Sequence, residues 1–313
     1  MLDVALLGTG GMMPMPNRFL TALLCRLNGN MLLIDCGEGT QITMKLLGWG
    51  FKSVDIICFT HYHADHISGL PGLLLTIGNA GRTEPLHLVG PLGLAKIVQG
   101  LCLIAPDLPF GMTFTELDAR VGTDRLAFGD FNLAAFPMAH GTPCLGYSLS
   151  VSRLPKFDLS RAEKLNIPKP LWGRLQRGEA VTHIGQAYTP KMVQGPPRKG
   201  IKLCYCTDSR PPKGLAAFIQ GADLFVCEGI YGDNTELDKA KKHRHMIFAE
   251  AAQIAKNGGV AELWLTHFSP AMPAPHIFLQ NAADIFPNTR VGFDRMHTTI
   301  FFEPEFDEAE PFA

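Results

Sequence analysis

The 313-residue sequence predicts an α/β fold with mixed sheets and outer helices. Short apolar, β-branched runs alternate with helical stretches, and Gly and Pro separate them. Several of these runs are almost continuously apolar, which is typical of strands that are buried on both faces. With 46% apolar and 18% charged residues and a formal net charge of −1, the composition excludes a wholly disordered chain.

The apolar runs predict nine strands. These cover residues 4–8, 31–35, 54–60, 86–89, 131–137, 146–151, 201–207, 224–227 and 261–266. Apolar residues at helical spacing predict helices. These cover residues 40–47, 70–77, 92–101, 245–256 and 275–285. No short repeat period is visible, which excludes a solenoid.

The sequence predicts a cytoplasmic protein that does not interact with a membrane. No window approaches the ~20 consecutive apolar residues that a membrane-spanning helix needs. Residues 1–5 lack the basic start and the apolar stretch of a signal peptide. Most of the eight cysteines lie in apolar runs, so all eight are expected to be buried and reduced.

Residues 150–202 differ in charge from the rest of the chain. They contain eleven Lys or Arg and three Asp or Glu, a formal charge of +8, whereas the remainder carries −9. Six prolines and few strand signals predict an inserted arm with one or two short helices. Clustered cations favour a polyanionic partner, although a solvated surface loop would have a similar composition. The acidic stretch 303–310 is expected to be a solvated terminus.

The strongest chemical signal is a run of four potential metal ligands directly after the apolar segment 54–59. The run contains His61, His63, Asp65 and His66. Neutral imidazoles and a carboxylate suit zinc and similar ions. His61 and His63 can reach one ion, and Asp65 and His66 can turn toward a second ion beside it. The alternative is a polar loop that happens to be rich in histidine. It does not explain why four potential ligands cluster at a strand end.

Three further candidate ligands follow predicted strands. His140, Asp208 and His267 each lie just beyond the carboxyl end of such a strand. Sites in α/β sheets gather at those ends, so seven side chains from four strand ends are expected to converge. A carboxylate such as Asp208 can bridge two ions, which predicts a two-metal centre. A single histidine beside a strand is often structural, and only the combination favours a site.

His245 and Glu228 are candidates for proton transfer. His245 is predicted to begin the helix over residues 245–256, where the helix dipole disfavours a stable cation. A general acid held near the metals is the functional interpretation, and Glu228 would orient it or hold its proton. A weak helix start without function is the alternative, and His243 is the competing candidate for the acid.

These residues resemble the metallo-β-lactamase superfamily and, within it, the ribonuclease Z family of endonucleases, which trim tRNA 3′ trailers. The similarity covers nearly the whole chain. It rests on residues 7–10, 35–41, 61–66, 69–73, 140–147, 195–200, 208–211 and 266–270. The histidine motif defines only the superfamily, whereas residues 35–41 and 267–270 are much more specific to the ribonuclease Z group.

The resemblance implies an αβ/βα sandwich with two mixed sheets, formed by a single domain over residues 1–313 that works as a homodimer. It also implies that the inserted arm, residues 150–202, is the tRNA-gripping exosite. Two divalent ions are implied, most simply Zn²⁺, with Mn²⁺ as the other candidate. Their ligands would be His61, His63 and His140 for one ion, Asp65, His66 and His267 for the other, and Asp208 as the bridge. Asp65 would orient or deprotonate the attacking water, and His245, supported by Glu228, would protonate the leaving oxygen.

The sequence departs from the family pattern near the substrate and keeps the metal ligands. Pro16 stands where lysine is common, Cys227 replaces a usual histidine, Ile247 follows Met246 where threonine is usual, and residues 271–272 replace an arginine and an aromatic. A metal-dependent hydrolase that cuts precursor tRNA is therefore expected. The alternative is a hydrolase of a small phosphodiester or other ester, which would not need a +8 arm. A non-catalytic metal-binding or RNA-binding protein is disfavoured, since a structural zinc closes with four ligands and needs no general acid.

Overall fold

The computed structural model describes residues 1–304, apart from the side chain of Asp124. The chain divides into two compact units. Unit 1 comprises residues 1–150 and 202–300, and the described residues of unit 2 are 151–201 and 301–304. Most of the acidic terminus expected over residues 303–310 lies outside the described part. No helix among residues 1–304 is long and apolar enough to cross a membrane.

The first of two seven-stranded sheets is formed mainly by the N-terminal half of the chain. Its strands are β1 (Leu2–Gly8), β2 (Ala22–Leu27), β3 (Asn30–Ile34), β4 (Val54–Cys58), β5 (Leu86–Pro91), β6 (Met112–Leu117) and β16 (His297–Ile300). The strand order is β16-β1-β2-β3-β4-β5-β6. β1 pairs antiparallel with β16 and β2, whereas the pairs from β3 to β6 are parallel. The sheet is therefore mixed.

The second sheet has the same number of strands and is also mixed. Its strands are β7 (Thr123–Phe128), β8 (Phe131–Pro137), β9 (Leu145–Arg153), β12 (Arg198–Cys206), β13 (Leu224–Glu228), β14 (Leu263–Thr266) and β15 (Thr289–Val291). The strand order is β15-β14-β13-β12-β9-β8-β7. β12 to β15 are parallel, and β7, β8 and β9 pair antiparallel. The predicted class, two mixed sheets with outer helices, is confirmed.

Helices cover one apolar face of each sheet. Among residues 1–304 the α-helices are α1 (Thr40–Leu47), α2 (Ala64–Ile67), α3 (Leu70–Asn79), α4 (Leu94–Leu101), α5 (Leu159–Lys164), α6 (Lys169–Gln176), α7 (Leu215–Phe218), α8 (Leu237–His243), α9 (Phe248–Gly258) and α10 (Leu279–Ala283). Met44, Leu73 and Val98 bring α1, α3 and α4 into one apolar cluster with β3, β4 and β5. Phe248 and Ala282 bring α9 and α10 into a second cluster with β12, β13 and β14. Burial of these faces supplies the main driving force that holds the helices on the sheets.

All nine predicted strands are present, with ends shifted by a few residues at most. The sequence analysis did not predict β2, β6, β7, β15 and β16. The last four are short or only partly apolar, whereas β2 is apolar at five of its six positions and was missed. The helix predicted over residues 275–285 is a 3-10 turn followed by α10. The eight cysteines carry free thiols, as expected, but Cys102 is half-buried because it lies at the end of α4.

The helix predicted to begin at His245 begins at Phe248 instead. α8 ends at His243, and Arg244 then adopts a left-handed conformation with φ 62° that interrupts the helical path. Ile247 is extended and precedes the first turn of α9. His245 therefore lies in the connection between two helices, and the argument from the helix dipole does not apply to it.

Unit 2 has a small core of its own. Its elements are α5, α6 and a hairpin of β10 (Val181–His183) and β11 (Gln186–Tyr188). The core contains six buried residues, Ala162, Ile167, Leu175, Val181, Tyr188 and Val193. The two short helices agree with the sequence, whereas strands of three residues are too short for their pattern to be predicted.

Candidate metal centre

Four segments of unit 1 carry the seven predicted ligands, and the structure brings all seven together. Each segment follows the carboxyl end of a strand, and Asp65 and His66 lie in the short helix α2. β4 precedes His61, His63, Asp65 and His66, β8 precedes His140, β12 precedes Asp208, and β14 precedes His267. β4 belongs to the first sheet and the other three strands to the second. The cluster therefore depends on both sheets.

The first donor group consists of His61, His63, His140 and Asp208. Their ligand atoms lie within 4.8 Å of one another. Nδ1 of His63 is 3.0 Å from Nε2 of His61 and 3.3 Å from Nε2 of His140. Oδ2 of Asp208 is 3.7 Å from Nε2 of His61 and 3.8 Å from that of His140. Three imidazole nitrogens and one carboxylate oxygen thus face a common point.

The second donor group consists of Asp65, His66, His267 and the other oxygen of Asp208. Nε2 of His66 is 3.3 Å from Nε2 of His267. Oδ2 of Asp65 lies 3.4 Å from the His267 nitrogen and 3.7 Å from the His66 nitrogen. Oδ1 of Asp208 is 3.0 Å from His267 and 3.1 Å from His66. The two oxygens of Asp208 therefore face different groups.

The donor set suits divalent metal ions. It offers five imidazoles and two carboxylates, the ligands that zinc and related ions prefer. Asp208 is buried, and its Oδ1 accepts no hydrogen bond in the described residues. An unpaired carboxylate oxygen buried in protein is costly unless a cation compensates it. This orphaned oxygen, facing His66 and His267, fits a bridging ligand.

Neighbouring histidines lower the pKa of the two carboxylates in the cluster. Burial raises the pKa of Asp208, but His267, His66 and His61 lower it more, so that it lies well below its usual range. Burial likewise raises the pKa of Asp65, but its hydrogen bond to His267 and the charge of His66 lower it overall. Both carboxylates are therefore held ionised, which is the form that binds cations.

His66 is oriented by a carboxylate to which the sequence argument assigned no role. Asp35 is fully buried, and its Oδ2 accepts a hydrogen bond of 2.8 Å from Nδ1 of His66. The Thr60 backbone N–H donates to Oδ1 of Asp35 at 2.8 Å. With Nδ1 used as donor to Asp35, Nε2 is the His66 nitrogen that faces the second donor group. The available signal was the position of Asp35, immediately after β3 at the same sheet edge.

Two residues of the loop after β1 also contact the centre without having been predicted. The Met12 backbone N–H donates to Oδ2 of Asp65 at 2.7 Å, and Met12 adopts φ 69°. Gly11 lies against the His267 ring, and a Cβ there would be 2.6 Å from the ring carbon Cε1. Positive φ in a residue with a long side chain is uncommon and often accompanies function. Backbone contacts of this kind leave almost no trace in a sequence.

His245 lies at the edge of the cluster and pairs with Glu228. Its Nδ1 is 3.2 Å from Oε1 of the fully buried Glu228. Its ring centroid lies 5.5 Å from that of His140 and 5.7 Å from that of His267. Burial lowers the pKa of His245, but Glu228 raises it more, to about 9 overall. His243, the rival candidate, is exposed at the end of α8.

The His245 loop is anchored by hydrogen bonds to side chains from two neighbouring segments. The Arg210 guanidinium donates to the His245 carbonyl and pairs with Glu250 on α9. The Met246 N–H donates to Oε2 of Glu228 at 3.1 Å. The Ser209 N–H donates to the other Glu228 oxygen at 2.5 Å. The segment that follows Asp208 therefore also fixes the position of His245.

Comparison with curated proteins identifies relatives of the whole chain. The chain is 51% identical over 305 residues to a protein of Lachnospira eligens named "Ribonuclease Z", and the match covers 97% of this chain and 100% of that one. The chain belongs to the ribonuclease Z family. A second member, from Clostridium acetobutylicum, is 50% identical and covers 97% of this chain and 99% of its own. The predicted family is confirmed.

Solved structures agree with this family assignment. The human tRNase Z, short form, is 25% identical, with a TM-score of 0.69 over 96% of this chain and 100% of that one. The metallo-beta-lactamase fold protein YhfI from Bacillus subtilis has a TM-score of 0.67 at 18% identity, over 95% of this chain and 98% of that one. The likeness to YhfI concerns the fold alone.

One comparison covers only part of this ribonuclease Z family member. A sequence profile described as "Anti-Pycsar protein Apyc1" matches residues 2–97. That stretch contains β1 to β5 and the ligands His61, His63, Asp65 and His66. Because it is less than a third of the chain, the full-length relatives decide the family.

Proposed function

We propose that this chain is a metal-dependent endonuclease that hydrolyses one phosphodiester bond to remove the 3′ trailer of precursor tRNA. The observation that carries the proposal is the pair of donor groups that share Asp208, in a chain 51% identical to a curated ribonuclease Z. The similarity to a solved structure titled tRNase Z supports tRNA as the substrate.

In this proposal the donor groups would hold two divalent ions. His61, His63 and His140 would hold one ion, and Asp65, His66 and His267 would hold the other. Asp208 would contribute to both, in agreement with its distances to both groups. Zn²⁺ is favoured because imidazole nitrogens dominate, and Mn²⁺ is the alternative because two carboxylates contribute.

When bound there, divalent ions would supply positive charge that activates water and neutralises the charge that develops on the phosphoryl oxygens. Asp65 is the residue of the chain that accepts a proton or hydrogen bond from the attacking water. The Met12 N–H holds one oxygen of Asp65 at 2.7 Å, which fixes the direction of the carboxylate. The carboxylate is ionised, since its pKa is lowered overall, and it can therefore act as acceptor.

His245 donates the proton to the departing ribose oxygen. As the phosphorus–oxygen bond breaks, that oxygen takes up negative charge, and a positioned acid neutralises it. Glu228 accepts from Nδ1 of His245 at 3.2 Å, so the opposite nitrogen, Nε2, is the donor. Glu228 also stabilises the protonated ring, because an opposite charge beside an imidazole raises its pKa. Water thus adds to phosphorus, and the ribose hydroxyl leaves with the proton of His245.

The inserted arm over residues 150–202 supplies the sequence-independent part of tRNA binding in this proposal. Two of its three acids, Asp158 and Glu179, pair with Arg161, Arg174 and Arg177, and its eleven cations outnumber its acids by eight. Contacts between cations and phosphates release counterions, so tRNA affinity should fall steeply with salt. In this proposal the chain works as a homodimer, as the family resemblance implies, and in the cytoplasm.

Hydrolysis of a small phosphodiester is the second candidate function. The YhfI likeness and the match of residues 2–97 to the Apyc1 profile connect the scaffold with proteins outside the ribonuclease Z family. The donor groups alone suit either substrate. The arm distinguishes the two candidate functions, because binding of a substrate with one phosphate does not require a surface with a formal charge of +8.

The test is cleavage of a precursor tRNA with a 3′ trailer, beside a small chromogenic phosphodiester, by one protein sample of measured metal content. We expect one cut at the junction of tRNA and trailer, at a kcat/KM far above that for the ester. The Lys256→Ala variant is a matched control, because Lys256 is an exposed cation in α9. Hydrolysis of the small ester but not of precursor tRNA, with metal bound, would contradict tRNA as the substrate. It would still support a hydrolytic metal centre.

A further inference from the structure

A run of cations lies in unit 1, outside the inserted arm. Residues 239–244 contain four Lys or Arg within six positions. Over residues 1–150 and 202–300, 21 Asp or Glu outnumber 18 Lys or Arg. The run is therefore a local concentration of positive charge in an otherwise acidic unit.

Helix chemistry accounts for the lysines of this run. Lys241 and Lys242 lie in the last turn of α8, where a cation interacts favourably with the helix dipole. Lys239 pairs with Glu236 at 3.0 Å, and Lys241 with Asp238 at 3.4 Å. Arg244 is the C-cap residue of α8, and its side chain hydrogen-bonds to a residue outside the helix.

Arg244 contacts the backbone of a candidate metal ligand. Its Nη1 donates to the carbonyl oxygen of His140 at 2.7 Å. The ring of the same His140 has its Nε2 3.3 Å from Nδ1 of His63. Arg244 is also the residue before His245, and its φ of 62° separates the two from α8. The guanidinium is thereby fixed beside the first donor group.

Arg244 forms no ion pair within the described structure. The side chain is exposed, and no carboxylate among residues 1–304 lies within ion-pair distance of it. The His140 carbonyl takes one of five N–H donors of the guanidinium. A neutral carbonyl does not require a full positive charge, so the remaining donors can serve an anion that arrives from solvent.

We propose that Arg244 binds a backbone phosphate next to the scissile phosphodiester of an RNA substrate. This inference rests on the proposed function, because only a nucleotide chain brings further phosphates to the centre. The planar guanidinium fork matches two phosphate oxygens. Lys241 and Lys242 add positive potential around it, which favours a polyanion. In this proposal an ester with a single phosphate at the centre has no second phosphate for Arg244 to bind.

The experiment compares Arg244→Ala, Arg244→Lys and the control Lys256→Ala. Lys256 lies in α9 eight residues after Phe248, about 12 Å farther along the helix. Each variant is assayed on the precursor tRNA and on the chromogenic phosphodiester, at equal metal content and several salt concentrations. Thermal unfolding of each variant establishes that it folds.

We expect Arg244→Ala to lower the ratio of tRNA to ester activity by about tenfold, mainly through a higher KM for tRNA. The salt dependence of tRNA binding should lose about one phosphate contact. Arg244→Lys should recover part of the ratio because it keeps the charge, and Lys256→Ala should leave both activities unchanged.

Three results would overturn the assignment to Arg244. One is an equal loss on both substrates, which would mean that Arg244 only supports His140. Another is an unchanged ratio in Arg244→Ala with unchanged salt dependence. The third is a wild-type protein that leaves the trailer intact while it hydrolyses the ester, which would refute the proposed function as well. The wild-type assay therefore distinguishes the two failures.

Discussion

Replacing Glu228 by Gln should move the alkaline limb of tRNA cleavage to lower pH. Glu228 is fully buried, and its Oε1 lies 3.2 Å from Nδ1 of His245. A glutamine keeps the shape and can still accept from the Ser209 N–H, which donates at 2.5 Å in the structure. The substitution therefore removes the negative charge beside His245, and it also turns an amide NH2 toward the Met246 N–H, so thermal unfolding of the variant is measured beside its pH profile.

The size of the shift follows from the influences on His245. Burial lowers its pKa, whereas Glu228 and, more weakly, Asp208 and Asp65 raise it, to about 9 overall. Without the Glu228 carboxylate, only the weaker influences of Asp208 and Asp65 oppose burial, so we expect a pKa near the ordinary value of about 6.5. Bound divalent ions lower the pKa in both proteins, so the prediction concerns their difference, which is about 2 units or about 3 kcal/mol.

The assay is kcat on saturating precursor tRNA between about pH 6 and pH 9, at equal bound metal. The ratio of wild-type to variant rate should rise with pH, from about twofold or less at the acid end to about tenfold near neutral pH. A pH-dependent change in rate that comes from ionisation of water at the metals would be the same in both proteins, so it cancels in this ratio. A large ratio that stays constant over the whole range would refute the role of Glu228. His243→Ala serves as control and should leave the profile unchanged.

Three other perturbations have defined outcomes. Asp208→Asn should lower the cleavage rate more than about 100-fold and reduce the bound metal, since Asp208 faces both donor groups; retention of full activity with two ions, measured by mass spectrometry, would contradict this. Gly11→Ala places a Cβ 2.6 Å from His267 Cε1, so one ion should bind about tenfold more weakly in a chelator competition while the other is unaffected. Zn²⁺ at about 100 times its Kd should stabilise the fold by about 2.7 kcal/mol per ion, and a melting temperature that does not respond to metal would argue against both sites.

The seven ligands could be predicted because their signal is local. Each follows an apolar run, and side chains beyond parallel strands meet at one sheet edge. Edge strands such as β16 and β7 escaped prediction because their residues are half exposed and do not form apolar runs. Pairing with a neighbouring strand, rather than their own pattern, makes them strands.

The supporting contacts of the site could not be predicted in this way. Asp35 belongs to a stretch that carries the family resemblance, yet its bond to His66 depends on the meeting of two loops. The Met12 N–H that holds Asp65 is a backbone group, and any residue type could supply it. The start of α9 was misplaced because Ile247 is extended and pairs with Tyr231, a long-range contact that a run of helix-favouring composition does not reveal.

The measurement that tests the central claim most directly is trailer cleavage as a function of ions bound per chain. The protein is stripped with a chelator and titrated with Zn²⁺ or Mn²⁺, while bound metal and product are measured on the same samples. The shared Asp208 predicts that activity rises with the second equivalent and levels off at two ions per chain. Full cleavage with one ion, or none with two ions bound, would contradict it.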